Sequence, residues 1–217
     1  MKIKELHIRN LASIERGDID FDNELKDYTG EVAPLFLISG DTGAGKSVIL
    51  DCIAMALFQK TPRIDGVTNV MHNEYLTTEG ESMRVASIEQ YTRLGISEHD
   101  DCYSWLVFEG NDGIVYQARL TLGMKRERGK KDEERKLKHK RAKWEVKVGE
   151  ADWQQGTKDV AAIIQDAIGI TFEQFGRIAM LAQGQFAAFL TGKKEERESI
   201  LEQLTNTERF TLYGQAI

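Results

Sequence analysis

The chain has 217 residues, 41% of them hydrophobic, which suits one large globular domain or one and a half ordinary ones with a real core. Its net charge of −6 argues against a surface that is basic throughout, and apolar runs such as residues 35–38 and 178–181 fall far short of the ~20 residues that cross a bilayer. Met1-Lys2-Ile3-Lys4 leads straight into a strand pattern with no signal peptide, and Cys52 and Cys102 have neither CxxC nor histidine partner spacing, so we expect a cytoplasmic protein with no membrane segment and no metal–thiolate site.

Residues 1–10 mix Ile3, Leu6 and Ile8 with charges, and Asp18-Ile19-Asp20-Phe21 alternates, which predicts two strands paired around a turn near Arg16-Gly17. Residues 35–39 form a short continuous apolar run, the pattern of a strand buried on both faces. That run delivers the chain to Gly40-Asp41-Thr42-Gly43-Ala44-Gly45-Lys46-Ser47, which fits the phosphate-binding loop pattern, and a helix from Lys46 to about Gln59 follows, stopping before Thr61-Pro62. Glycines let successive backbone N–H groups converge on phosphate oxygens, and the helix start at Lys46, Ser47 and Val48 adds unpaired amides and the positive end of its dipole. Lys46 is placed to reach the β and γ phosphates of ATP, and the Ser47 hydroxyl to ligate Mg²⁺.

Residues 60–82 lack periodicity and predict a loop. Strand candidates follow at 83–93, 103–109, 114–122 and 143–148, with Asn111-Asp112-Gly113 as a hairpin turn, and together they suggest an added antiparallel sheet. Trp144, Val146 and Val148 alternate with Glu145 and Lys147, so one face of that strand is expected to be covered and the other wet. Residues 125–143 carry eleven Lys and Arg against four Asp and Glu, a local balance of +7 that leaves −13 for the rest. Lys130, Lys131, Arg135, Lys136, Lys138, Lys140 and Arg141 offer no apolar face, so the segment reads as a hairpin tip or solvated loop, and as a candidate contact for the phosphates of DNA. No aromatic interleaves the run, which argues against base stacking there.

Beyond Trp153 the spacing of Val160, Ile163, Ile164, Ala167 and Ile168 predicts a helix stopped by Gly169, and a second runs over 172–181. A hydrolase of the phosphate-loop class also needs an acidic residue at the end of an apolar strand. The nearest match, Trp105-Leu106-Val107-Phe108-Glu109, runs into the hairpin turn, so the chain reads as half of an active site.

Ile8-Arg9-Asn10-Leu11-Ala12-Ser13, the phosphate loop, the string from Leu50 through Phe58 with Thr61-Pro62-Arg63, and Met180-Leu181-Ala182-Gln183-Gly184-Gln185-Phe186-Ala187-Ala188-Phe189-Leu190 closely resemble the N-terminal ATPase segment of the SbcC family, the SMC-like, ABC-type ATPases of the SbcCD DNA nuclease. The likeness spans nearly the whole chain. It implies an α/β ABC-ATPase lobe with the start of a helical lobe, residues 1–190 forming the N-terminal half of the head and 191–217 the base of an ascending coiled coil. It also implies a C-terminal half that returns with the signature motif and catalytic glutamate, a second head joined through ATP and Mg²⁺, an SbcD-like nuclease subunit, and DNA ends as the target. Gln183 matches the family's Q-loop glutamine, a metal and water contact, and an amide oxygen suits Mg²⁺. Relatives outside bacteria carry a basic residue where Ala12 stands, and Arg9 is the nearest cation to take that place at the nucleotide. Without the other half, the 217-residue piece should bind nucleotide weakly and hydrolyse almost nothing. The rival readings are a condensin-type DNA tether without a nuclease and a self-contained phosphate-loop kinase.

Overall fold

The computed structural model describes residues 1–26, 28–32, 37–64, 74–76, 82–84, 87–126 and 137–179. These belong to two compact units, one ending at Gly169 and one starting at Ile170. Gln183, Lys130, Lys131, Arg135, Lys136 and the expected coiled-coil base lie outside the described residues.

In the first unit the long strand β1 (Lys2–Leu11) pairs antiparallel with β2 (Ile14–Asp20) on one side and with β5 (Tyr103–Glu109) on the other. The sheet extends through β6 (Val115–Thr121), β9 (Lys143–Val148) and the short β10 (Gln154–Gln155), in the order β10-β9-β6-β5-β1-β2. Two small hairpins stand apart from it, β3 (Glu74–Leu76) with β4 (Ser82–Arg84), and β7 (Met124–Arg126) with β8 (Leu137–His139).

Period-two alternation turns Leu6, Ile8, Leu106, Phe108, Ala118, Leu120, Trp144 and Val146 to one face, where they are buried. That face receives α1 (Lys46–Phe58), whose residues from Asp51 to Leu57 are all buried, so the helix that starts at the glycine loop is a core element. α2 (Thr157–Ile168) buries Val160, Ile164, Ala167 and Ile168 and ends at Gly169 in the left-handed region, a conformation glycine takes without strain. In the second unit α3 (Phe172–Ala179) opens on a reciprocal cap: Thr171 N donates to Gln174 Oε1 and Gln174 N to Thr171 Oγ1.

Several expectations need correction. The first hairpin turns at Ala12-Ser13, not near Arg16-Gly17; Gly17 sits inside β2, facing Ile8 and Ile14. The run at 35–39 is not a buried strand over its described part, since Leu37, Ile38 and Ser39 lie outside any strand and Leu37 is 89% exposed. Of the candidate strand at 83–93, Met83 and Arg84 lie in β4, whereas Ile88–Tyr91 is a 3₁₀ turn. The outer face of β9 is not wet throughout: Glu145 is 2% exposed and paired with Arg119 at 3.0 Å and Lys143 at 2.7 Å.

Candidate nucleotide-binding site

Gly43 and Gly45 both have positive φ, at 88° and 92°, the backbone region that glycine enters freely and in which successive amides can turn toward one anion. Gly45 caps α1 without any side-chain hydrogen bond, so no side chain of the cap competes with an outside acceptor for the amides of Lys46 and Ser47. Val48 N and Ile49 N already donate to Gly45 O, and Ala44 N donates to Asp41 O, which leaves the start of the helix as the open end of the cradle. Beside Gly43 no atom lies within 4 Å of where a Cβ would stand, so that side of the loop is open space. Asp41, Thr42, Gly43, Ala44 and Ser47 are exposed.

Lys46 folds back over the loop, its ammonium donating to Gly40 O at 2.7 Å and Asp41 O at 2.8 Å. The charge therefore sits across the mouth of the loop, where an anion can replace or share those carbonyl contacts. These residues fit a nucleotide phosphate: converging amides, a cation and an exposed hydroxyl meet at a helix N-terminus. Among the described residues no group of three or more His, Cys, Asp or Glu is placed to hold a metal, and the Ser47 hydroxyl is the loop's own candidate ligand for Mg²⁺.

Arg9 stands elsewhere in the hydrogen-bond network. Its guanidinium pairs with both carboxylate oxygens of Asp18, at 2.9 and 3.0 Å, and donates to the carbonyls of Ile8 and Gly17. The Arg9 guanidinium, helped by His7 and Arg16, holds the Asp18 carboxyl far below the usual carboxylate range. Glu109, the one acidic strand-end candidate, is 41% exposed and 3.7 Å from Lys4.

Residues that the motif does not reveal lie closer. A Cβ on Gly45 would stand 2.7 Å from Ser13 Oγ, so the β1–β2 turn rests directly against the loop. Farther along α1, the fully buried Asp51 accepts a hydrogen bond from Tyr91 Oη at 3.0 Å and pairs with Arg63 at 3.1 Å. Burial raises the Asp51 pKa, against the pull of Arg63 and the Tyr91 hydrogen bond. Nothing in the spacing of Asp51, Arg63 and Tyr91 announces their meeting.

The basic segment is rooted by β7 and β8. Lys138, Lys140 and Arg141 are exposed; Lys140 Nζ donates to Glu98 O at 3.2 Å, and Arg126 pairs with Glu98 at 3.0 Å.

A family model described as an AAA domain matches residues 5–210. The chain is also similar to curated proteins named as the C subunit of nuclease SbcCD. It is 30% identical to that of Pseudomonas aeruginosa over 100% of this chain and 17% of the relative, and 33% identical to that of Deinococcus radiodurans over 81% of this chain and 16% of the relative. To that of Bacillus subtilis it is 28% identical over 97% of this chain and 16% of the relative. The chain thus spans about a sixth of the length of the curated relatives it matches.

Proposed function

The chain belongs to the AAA domain family, and from that premise we propose that it is the ATP-binding N-terminal segment of an SbcC-like DNA repair ATPase. The observation that carries this reading is the cradle itself, an uncapped helix start behind two left-handed glycines with Lys46 folded across it. The amides of the segment from Gly40 to Val48, apart from those of Ala44 and Val48 that already donate within the chain, bind and orient the triphosphate, Lys46 offsets its charge, and the Ser47 hydroxyl would hold the metal. A Mg²⁺ held by the Ser47 hydroxyl would supply charge neutralisation for the phosphates.

Gln183, in its family string, is the proposed metal and water contact, and it is a residue of this chain whose amide oxygen suits that role. Water activation is assigned to polypeptide outside this chain, a C-terminal ATPase half and a second head that sandwich the nucleotide. Binding energy at such a shared site becomes conformational change. On this reading the closure regulates an SbcD-like nuclease subunit at DNA ends in the cytoplasm, with the basic arm around Lys138, Lys140 and Arg141 holding backbone phosphates. The length of the relatives and their printed name support the reading over a kinase or a nuclease-free tether.

The test is ATP binding and hydrolysis by the chain alone and joined to its C-terminal half, each with and without Lys46→Ala. Turnover should need the joined form and intact Lys46. Robust Lys46-dependent turnover by the 217-residue chain alone would overturn the half-site reading.

A further inference from the structure

The turn between β1 and β2 is held in an unfavourable shape. Asn10 and Ala12 both have positive φ, at 50° and 48°, in a region that residues with a Cβ enter at a cost of about 1 kcal/mol or more. Such a shape persists only when its surroundings over-determine it, and here they do. Ala12 N donates to Tyr91 O at 2.7 Å, Arg93 N donates to Asn10 O at 2.9 Å, and Leu11 bridges Thr92. The Arg93 guanidinium then donates to Ser13 O at 2.8 Å.

The far end of this strap is fastened to the phosphate-loop helix. Tyr91 Oη donates to Asp51 Oδ2, Thr61 Oγ1 lies 3.2 Å from the same hydroxyl, and Arg63 closes on the carboxylate from outside. Asp51 is fully buried and, among the described residues, its other oxygen, Oδ1, has no hydrogen-bond partner, so the Tyr91 and Arg63 contacts are what offset the burial of its carboxyl. The contacts form a closed circuit: from Gly45 along α1 to Asp51, across to Tyr91, back through Ala12 and Arg93 to Ser13, and onto Gly45 again. A circuit of this kind fixes the loop's backbone without touching the ligand.

We propose that Tyr91 and Arg93 are positioning residues that clamp the β1–β2 turn against Gly45 and so keep the loop amides converged on the nucleotide's phosphates. The inference rests on the nucleotide-binding reading above and names residues outside its motif. Because the clamp acts on the cradle, its loss should be felt in proportion to the number of phosphates bound.

The experiment measures ATP and AMP affinity for the full-length protein carrying Tyr91→Phe, Arg93→Ala or Arg93→Lys, alongside each variant's melting temperature without nucleotide. Tyr91→Phe and Arg93→Ala should weaken ATP by about three- to tenfold and AMP by less. Arg93→Ala should move the melting temperature little, whereas Tyr91→Phe, which removes a hydrogen bond from the buried Asp51 carboxylate, should also lower it, so the comparison with melting temperature is read on the Arg93 variants. Arg93→Lys, which can still donate to Ser13 O, should recover most of the loss. Equal losses for ATP and AMP, losses that follow the melting temperature, or no loss at all would overturn the proposal. A parent protein without Lys46-dependent ATP binding would overturn the nucleotide-binding reading and this inference with it; Lys46-dependent binding with unaffected variants would overturn this inference alone.

Discussion

The indole N–H of Trp144 on β9 donates to the main-chain carbonyl of Ala56 on α1 over 2.7 Å, and one helical turn earlier Ser104 Oγ on β5 donates to Cys52 O over 2.7 Å. Two buried side chains from different strands thus stitch the sheet to the helix that begins at the phosphate loop. The stitching matters because α1 positions the cradle, and a helix free to slide would carry Lys46 and Ser47 with it.

Replacing these donors tests how firmly the helix is held. Trp144→Phe keeps most of the apolar area and removes the N–H, so it should cost about 1–3 kcal/mol; Ser104→Ala should cost about 1 kcal/mol. Urea denaturation reads both, with an unchanged slope marking a true stability loss. Parent-like midpoints for both variants would mean that packing alone seats the helix.

The two loop glycines should respond differently to alanine. Gly43→Ala meets open space and bears only the strain of a positive φ, whereas Gly45→Ala also drives its Cβ to 2.7 Å from Ser13 Oγ and 3.2 Å from Ile14 Cγ1. Nucleotide affinity should fall more for Gly45→Ala, and adding Ser13→Gly should recover part of that difference. Identical affinities for the two single variants would show that contact with the β1–β2 turn is immaterial.

Acid should loosen the edge of the sheet. The pKa of Asp18 is lowered in the folded chain, first by its hydrogen bond to Arg9 and then by His7 and Arg16; that of Asp22 is lowered by Lys2 and Lys4. A carboxyl lowered on folding stabilises the native state above its unfolded pKa near 4, and that contribution is lost as pH falls toward the folded value. Stability measured from pH 6 downward should therefore drop below about pH 4, and Asp18→Asn should flatten that limb. An unchanged acid limb in Asp18→Asn would assign the loss to other carboxylates.

If the basic arm holds DNA through its phosphates, neutralising Lys138, Lys140 and Arg141 together should weaken binding without regard to sequence. The slope of log affinity against log salt should fall by about 0.9 for each phosphate that the arm no longer neutralises. Binding that keeps its salt slope in the triple variant would place the DNA elsewhere on the protein.

Both thiols should be silent in the native protein. Cys52 and Cys102 are buried, and burial pushes the Cys102 thiol up to about 11 and Cys52 higher still. Alkylation at pH 8 should label neither until denaturant is added, and fast native labelling of either would contradict the seating of α1 and β5.

Much of the fold is legible where the signal is local. Residues 103–109 and 143–148 read as strands and are β5 and β9, the helix after the loop ends where Pro62 requires, and Gly169 stops α2. The basic run reads as a hairpin tip or a solvated loop; Met124–Arg126 and Leu137–His139 pair antiparallel as β7 and β8, and residues 127–136 lie outside the described residues. Sequence and structure part where two local signals compete. Gly17 suggests a turn because glycine usually marks one, yet pairing of Leu11 with Ile14 moves the turn to Ala12 and Ser13, where serine is a weaker turn signal than glycine. Of the site, the motif residues are evident and their supports are not: Arg9 reads as the cation nearest the nucleotide, and that it pairs with Asp18 depends on the register that sets it opposite Arg16 on β2.

A phosphate loop, a helix behind it and alternating strands follow from residue types at fixed short spacing, because glycine freedom, helix dipoles and period-two burial act within a few residues. Which side chains close on one another from distant parts of the chain depends instead on strand register and on how α1 is seated. Tyr91 meeting Asp51, Trp144 meeting Ala56 and Arg119 burying Glu145 are such meetings. Tertiary packing decided them, since a one-residue slip in register would turn each strand's side chains to the opposite face.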